Sequence, residues 1–352
     1  MQKPSLLIPG VQSALINNGL PTTCNNNILI FPTWEKYYAT IEQLDLLTEN
    51  YCNTFDSSLP ANITDAQYDA AALTANFDED NILIKFETEM EFCSLRKKLL
   101  VEENAWLDLQ VDGQWNANTD PDNDFVDDDT ERALLSYGHE VIIGTSPKNY
   151  KIYKLIKDNG TWIEIANMDL VALQQINAGQ TITNNPNVVY VTPPASTLTL
   201  TCANYKKETD YAELNGNKIK RSSKLRTAFG TNIASSPATS ISASRVIART
   251  KGYVKRNNKW RVRRSTITAE IGGLTLGTQG ANYFDCIDLK TLLVTKTKRR
   301  RKVKVKFVST NAITQVGTPR YFNITVQDNL LYSSHKQGNL LVTRDYFDMP
   351  NN

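Results

Sequence analysis

The charged residues of this chain are divided unevenly along its length, and this division constrains its fold more than any other feature. Residues 1–150 carry 25 acidic and 8 basic residues, whereas residues 201–352 carry 9 acidic and 28 basic residues. The net charge of the 352 residues is nevertheless only +2. Such asymmetry between two halves indicates interaction surfaces. Either the halves face each other or neighbouring copies as complementary surfaces, or one of them faces a separate partner.

The length of the chain allows two or three domains. No apolar run reaches the roughly 20 residues of a transmembrane helix, so we expect no transmembrane segment. The first twenty residues lack the apolar core of a signal peptide, which indicates a protein that is not exported by the general route or one whose leader is missing. The five cysteines are scattered without a CxxC motif, which argues against a disulfide scaffold. Cys202 and Cys286 could pair, and buried thiols are the favoured alternative.

Helical periodicity predicts three helices in the acidic region. A stripe of apolar residues from Trp34 to Tyr51 predicts the first, with Thr33 as its N-cap. A capping box opens the second, which we expect to run from Thr64 to about Ala75. The third is expected from Phe86 to about Asn104. Three amphipathic helices with short loops indicate a small bundle or a helical layer on a sheet.

A pattern of period two follows the acidic stretch 118–131. It predicts a strand at Glu140–Gly144 and a hairpin formed by Tyr150–Lys157 and Thr161–Ile165, joined by an Asp-Asn-Gly turn. A short helix is expected at Asp169–Asn177, because Asp opens it and a glycine follows its end.

Strands are predicted throughout the basic region. The dipeptide Asn257-Asn258 favours a type I′ hairpin turn. In the strand that begins at Lys302, Val303, Val305 and Phe307 alternate with lysines, so that one face is buried and the other is wet. We therefore expect an α+β protein with an acidic helical region over 1–130, a β-hairpin plus short helix module over 131–190, and a basic, sandwich-like antiparallel β-domain over 191–352.

The basic strands supply the candidate binding residues. They are Arg256, Lys259, Trp260, Arg261, Arg263, Lys302, Lys304 and Lys306. A lysine-rich sheet face that is simply soluble and blunts edge pairing is one interpretation. An acidic protein surface and a polyanionic glycan are the partners that we favour. Nucleic acid is the least favoured partner, because the chain has no RNP, KH or zinc-finger signature.

One acidic stretch has partial metal-ligand spacing. Asp120, Asp122, Asp124 and Glu131 occupy positions 1, 3, 5 and 12 of an EF-hand loop. The glycine that such a loop needs at position 6 is Phe125, so the pattern predicts a calcium loop of another type or an acidic, solvated linker. The linker is the favoured interpretation, and we expect no other cofactor.

Motifs for catalysis are few. The sequence contains no HExxH, GxSxG, P-loop or GxGxxG motif. Ser94 and Lys97 match SxxK formally, but the partner motifs of that chemistry are missing and the pair lies in an amphipathic helix. The two histidines, His139 and His335, have no recognisable context. An unrecognised hydrolase stays open as an alternative.

Part of the chain resembles a known kind of protein. The segment that carries the resemblance contains Leu134-Leu135, Gly138, Glu140–Gly144, Tyr153-Lys154, Asp158–Gly160 and Asp169–Ile176, and the run from Lys251 through Trp260 continues it. This arrangement is similar to short patterns in uncharacterised surface proteins and lipoproteins of Bacteroidota, and the similarity covers about half the chain. It implies a cell-surface or secreted setting and no enzymatic activity. The chain departs from the pattern in lacking a lipoprotein leader.

We therefore expect a non-enzymatic, surface-associated or secreted structural or binding protein with a basic β-sheet face for a polyanionic or acidic partner. A structural component or cargo of a phage or phage-like injection system is the first alternative, and assembly into a larger complex would fit it. The expected location is extracellular or at the cell surface, and the alternatives are a phage particle or the cytoplasm.

Overall fold

The chain divides into two compact units that each contain two separate segments. Unit 1 comprises residues 1–102 and 124–192, and unit 2 comprises residues 103–123 and 193–352. A computed structural model describes residues 6–20, 27–110, 115–157, 161–191, 205–227, 239–277, 288–314, 324–325, 330–346 and 348–349. Two features differ from the expected ranges. The hairpin module 131–190 belongs to the same unit as the helical region, and residues 103–123 belong to the β-domain.

Most of the helices begin at a residue whose side chain caps the first turn. They are α1 (Trp34–Ser57), α2 (Asp65–Thr74), α3 (Asn81–Glu89), α4 (Leu95–Asp108), α5 (Asp129–Arg132) and α6 (Leu170–Asn177). Thr33 accepts a hydrogen bond from the backbone N–H of Lys36, and both hydrogen bonds of the predicted capping box at Thr64 are formed. These observations confirm the first two predicted helices and the short helix α6.

The third predicted helix is wrong in one respect, because two helices occupy its range. α3 ends at Glu89, and Glu91 adopts a left-handed backbone conformation with φ of 49°. This conformation cannot continue a right-handed helix. The hydroxyl of Ser94 accepts a hydrogen bond from the N–H of Lys97 and thereby opens α4. α4 then crosses from unit 1 into unit 2.

Unit 1 contains a mixed sheet of six strands in sequence order. The strands are β1 (Gln12–Leu15), β2 (Asn27–Phe31), β3 (Glu140–Ile143), β4 (Lys151–Lys157), β5 (Thr161–Ile165) and β6 (Val188–Val191). Only β2 and β3 pair in parallel. Ile28, Ile142, Ile163 and Leu173 lie in one buried cluster, which packs α6 against the sheet. The predicted turn between β4 and β5 lies outside the described residues.

Unit 2 contains two antiparallel sheets. The first, here called the basic sheet, has the order β10-β9-β8-β7, and β13 lies beside β9. The second has the order β12-β11-β15-β16, and β14 pairs with β11. The strands are β7 (Tyr205–Leu214), β8 (Asn217–Thr227), β9 (Thr239–Arg256), β10 (Lys259–Val262), β11 (Ser265–Gly277), β12 (Asp288–Arg300), β13 (Lys302–Thr314), β14 (Ile324–Thr325), β15 (Leu331–Gln337) and β16 (Leu340–Asp345).

The core of unit 2 lies between its two sheets. Ala248, Val303 and Val305 of the basic sheet share a buried cluster with Ile267 and Leu331 of the second sheet. The buried face predicted for the strand at Lys302 is therefore confirmed at Val303 and Val305, as is the sandwich-like arrangement. The lysine face was expected to be wet, but it is half-buried. Asn257 and Asn258 both have positive φ values, of 49° and 60°, and join β9 to β10 as the predicted hairpin turn. The fold is α+β.

Two further predictions concern cysteines and membranes. Cys93 is disulfide-bonded and Cys52 is a buried thiol, whereas Cys202 and Cys286 lie outside the described residues. Within the ranges that the structure describes, no helix has the length and apolar character needed to cross a membrane.

Candidate anion-binding face

The face of the basic sheet that points away from the core, here called the outer face, carries a dense array of cations. Eight of its basic residues lie on three strands: Lys218, Lys220 and Lys224 on β8, Arg249 and Lys251 on β9, and Lys302, Lys304 and Lys306 on β13. The register places Lys220, Lys251 and Lys302 directly opposite one another across three strands, and it places Arg249 opposite Lys304. Paired residues of adjacent strands point to the same side of a sheet. Five of these eight residues are buried, namely those on β8 and β9.

Like charges directly opposite one another in a sheet are destabilising. A buried ammonium or guanidinium group is also costly unless it is paired with an anion. The outer face is consequently stable only if carboxylates or other anions approach it closely. The chain provides such carboxylates itself, in the other segment of unit 2.

Residues 103–123, here called the strap, place three carboxylates on the outer face. Asp120 lies 2.6 Å from Nζ of Lys220, and Asp122 lies 3.0 Å from the same nitrogen. Asp122 also accepts from Lys251 at 3.1 Å and lies 3.3 Å from Arg249. The carboxylate of Asp122 therefore contacts three cations.

The third carboxylate of the strap binds Lys251 from the other side. Both oxygens of Glu103 lie 2.6 Å from Nζ of Lys251. The hydroxyl of Tyr253 donates to Glu103 at 3.1 Å, and the hydroxyl of Tyr211 donates to Asp120. Hydrogen bonds to charged groups are stronger than those between neutral groups, and each strap carboxylate here receives at least two. We call this arrangement the carboxylate clamp. It consists of Glu103, Asp120 and Asp122 together with Lys220, Arg249 and Lys251.

The protonation states in the clamp follow from burial and charge. Burial acts to lower the pKa of Lys251, but the charges of Asp122 and Glu103 outweigh it, and the pKa lies above its ordinary value. Burial raises the pKa of Tyr211, and the nearby charge of Asp120 raises it further. The pKa of Tyr253 is raised well above its ordinary value for the same reasons, with Glu103 as the main charge. The lysine therefore stays charged and the phenols stay neutral, which suits anion binding and not proton transfer.

Aromatic rings of the strap complete the covered part of the outer face. Trp115 lies edge-on to Tyr211, Tyr253 and Trp260, with ring centroids 5.1 to 5.6 Å apart. Nζ of Lys218 lies 4.0 Å from the ring centroid of Trp115 and 4.5 Å from that of Trp260. These are cation–π distances. The strap thus contacts the sheet through an aromatic ring at Lys218 and through carboxylates at Lys220 and Lys251.

The structure distributes the predicted basic residues over two faces. Trp260 pairs with Lys255 and is fully buried on the outer face, whereas Lys259 and Arg261 alternate with it and point to the other side. The strap reaches Lys259 and Arg261 as well, because Asp108 lies 3.6 and 2.6 Å from their nitrogens. Arg263 is half-buried, and the side chain of Arg256 lies outside the described residues. Lys302, Lys304 and Lys306 are half-buried on the outer face.

The predicted calcium ligands have protein partners. Asp120 and Asp122 bind the cations described above, and Asp124 accepts from Nε2 of His139 at 3.1 Å. Glu131 is buried in α5. Among the residues that the structure describes, no group of three or more His, Cys, Asp or Glu side chains is placed to hold a metal ion. Calcium remains a prediction. The stretch is not the solvated linker that we expected, because Asp120, Asp122 and Glu131 are buried.

A serine–histidine contact exists in the core of unit 2. Nε2 of His335 lies 3.3 Å from the hydroxyl of Ser223, and Nδ1 lies 2.9 Å from the hydroxyl of Thr250. Burial lowers the pKa of His335 to about 3, and the charge of Arg221 contributes. His335 has no exposed surface and Ser223 is 2% exposed. A substrate cannot reach this pair in the folded core, so it gives no support to the hydrolase alternative, which stays a prediction.

The sequence interpretation missed most of the clamp. Lys220, Arg249 and Lys251 lie in stretches that were noted only as basic. Glu103, Tyr211 and Tyr253 were not linked to them. The available signal was the alternation of lysine with apolar residues around Lys218 and Lys220, which has the same period as the strand at Lys302.

Comparisons with known proteins add little. No family model matches the chain, and no curated protein matches it. One solved structure, a DUF4848 family protein from Bacteroides thetaiotaomicron, is similar over 94% of this chain and 99% of its own, with 10% sequence identity and a TM-score of 0.19. A similarity at this TM-score carries no argument about fold or function.

Proposed function

We propose that this chain is a non-enzymatic structural or binding protein whose outer face takes an acidic protein partner. The observation that carries the proposal is the carboxylate clamp, in which the outer face already binds three carboxylates of a protein segment. The face continues beyond Lys251 and Arg249 into Lys302 and Lys304 at the same register. Charge of this density supports association and specificity through electrostatic complementarity.

The spacing of the cations favours an extended acidic segment as the partner. Alternate residues of a strand lie about 6.7 Å apart along it. Lys302, Lys304 and Lys306 therefore match the spacing of carboxylates at alternate positions of an extended peptide. In the strap itself, Asp120 and Asp122 are two positions apart, and both bind Lys220.

A location outside the cell is part of the proposal. Disulfides persist in oxidising compartments, and Cys93 is disulfide-bonded. The resemblance to surface proteins of Bacteroidota supports the same setting. An extracellular binding protein would meet acidic partners of both protein and glycan type, which a binding experiment can separate.

The proposal is tested by binding measurements on the full chain with three anionic probes: poly-glutamate, chondroitin sulfate and single-stranded DNA. We expect poly-glutamate to bind, with affinity that falls as salt is raised from about 50 to about 300 mM, because salt screens surface charge. Replacing Lys302, Lys304 and Lys306 by Gln should weaken binding by about tenfold or more.

The matched control removes three positive charges elsewhere in unit 2. The variant with Gln at Lys259, Arg261 and Arg263 loses the same charge but leaves the outer face intact, so its affinity should change much less. Equal losses in the two variants would show that net charge alone attracts the probe. Binding of chondroitin sulfate without poly-glutamate would favour the glycan alternative, and binding that ignores salt would reject the outer face as the contact surface.

A further inference from the structure

We infer that the strap can be exchanged between copies of this chain, so that residues 103–123 of one copy complete unit 2 of a second copy. The strap contains five acidic residues and no basic residue, whereas residues 193–352 contain 28 basic and 9 acidic residues. The strap is therefore an acidic ligand of the basic sheet that happens to lie in the same chain. Without the strap, the basic sheet lacks the carboxylates that pair with Lys220 and Lys251.

The chain connectivity makes this ligand exchangeable. At both ends the strap continues covalently into unit 1, and only non-covalent contacts join it to the strands of unit 2. These contacts join residues far apart in sequence, such as Asp120 with Lys220 and Asp108 with Arg261. An element held in this way is the kind that identical copies exchange in domain swapping.

A single connection leads from the last strand of unit 1 to the first strand of unit 2. The last strand of unit 1 ends at Val191, and the first strand of unit 2 begins at Tyr205. Thirteen residues lie between them, and a fully extended chain of that length spans at most about 45 Å. In an exchanged pair, this connection is the part of the chain that leads from unit 1 of one copy to its own strands of unit 2.

A second copy fits the site better than an unrelated acidic protein does. The covered part of the outer face needs carboxylates on Lys220 and Lys251 and, in the same segment, a tryptophan that packs between Tyr253 and Trp260. Only the combination satisfies both the charges and the apolar rings. A second copy carries that combination by identity.

Cross-linking of two full-length chains tests the exchange. One chain carries Asp108→Cys and the other carries Arg261→Cys, at two positions that are 49% and 44% exposed and in contact. The chains are co-expressed and treated with a bis-maleimide about as long as an arginine side chain. We expect a cross-linked product of twice the 39.6 kDa chain mass that contains both chains.

Three controls accompany the cross-linking experiment. A single chain with both substitutions reports the contact within one chain, and each single variant alone reports the background from native cysteines. A pair with Asp108→Cys and Leu341→Cys reports chance collisions, because Leu341 is exposed on β16 in the second sheet. The inference is overturned if the doubly substituted chain cross-links internally while the co-expressed pair gives no more product than the collision control. Neither result depends on Lys302, Lys304 or Lys306, so failure here leaves the proposed acidic partner untouched.

Discussion

At the scale of single residues, unit 2 handles its buried polar groups in two opposite ways. On the outer face, Lys220 and Lys251 remain charged because carboxylates surround them. In the core between the sheets, burial keeps His335 neutral, and the hydroxyls of Ser223 and Thr250 lie at its ring nitrogens. A buried group either finds an opposite charge or loses its own.

His335 should make the stability of unit 2 depend on pH. Burial lowers its pKa from the ordinary value of 6.5 to about 3. Between these two pH values, the unfolded state binds a proton at His335 and the folded state does not. Stability is therefore full above about pH 6.5 and falls as the pH drops towards 3, with a loss of about 2 kcal/mol between pH 7.5 and 5. Urea unfolding at the two pH values measures this loss.

The other histidine of the chain supplies the control. His335→Gln should flatten the pH dependence between pH 7.5 and 5, whereas His139→Gln, in unit 1, should leave most of it in place. A wild-type free energy of unfolding of unit 2 that is equal at both pH values would contradict the assignment, as would an unchanged slope in His335→Gln.

At the scale of elements, the strap places carboxylates against Lys220, Arg249 and Lys251 of the basic sheet. Trp115 contacts four rings and one ammonium group. Trp115→Ala should therefore destabilise unit 2 by about 3 kcal/mol, through lost burial and the cavity that it leaves. Leu109→Ala, in the same segment but 79% exposed, should stay within about 0.5 kcal/mol of the wild type. Chemical denaturation of both variants, followed by tryptophan fluorescence of unit 2, measures the difference. Equal effects would show that the strap does not pack through Trp115.

Elements that depend on local signals could be predicted from the sequence. Thr64 opens α2 through hydrogen bonds within four residues, and Asn257-Asn258 sets a hairpin through its own backbone preference. The break at Glu91 was missed because a glutamate in the left-handed conformation has no local signature. The clamp was missed for a different reason. Asp120 meets Lys220 one hundred positions later, and a carboxylate–ammonium contact leaves no periodic trace in either segment.

At the scale of the whole molecule, the charge division of the sequence can be assigned to the two units. Unit 1 holds 23 acidic and 11 basic residues, and unit 2 holds 14 acidic and 28 basic residues. The strap moves five acids from the acidic region of the sequence into the basic unit. Part of the division is thus neutralised inside unit 2 itself, where the carboxylates of the strap lie on lysine and arginine.

The two-segment composition of unit 2 predicts how it must be produced. A fragment of residues 193–352 lacks the strap, so Lys220, Lys251, Tyr253 and Trp260 lose their partners, and buried cations without anions are strongly destabilising. We expect this fragment to unfold without a cooperative transition or to aggregate.

Joining residues 103–123 to residue 193 through a flexible Gly/Ser linker of about 30 residues should restore cooperative unfolding, as followed by circular dichroism. The same fusion with Asp120→Lys and Asp122→Lys should remain unfolded, because it restores the chain length without the clamp. If the bare fragment unfolds at the same midpoint as the intact fusion, the strap does not contribute to the stability of the two packed sheets. If only the intact fusion folds, then the acidic stretch that reads in the sequence as a linker is a structural part of the basic domain.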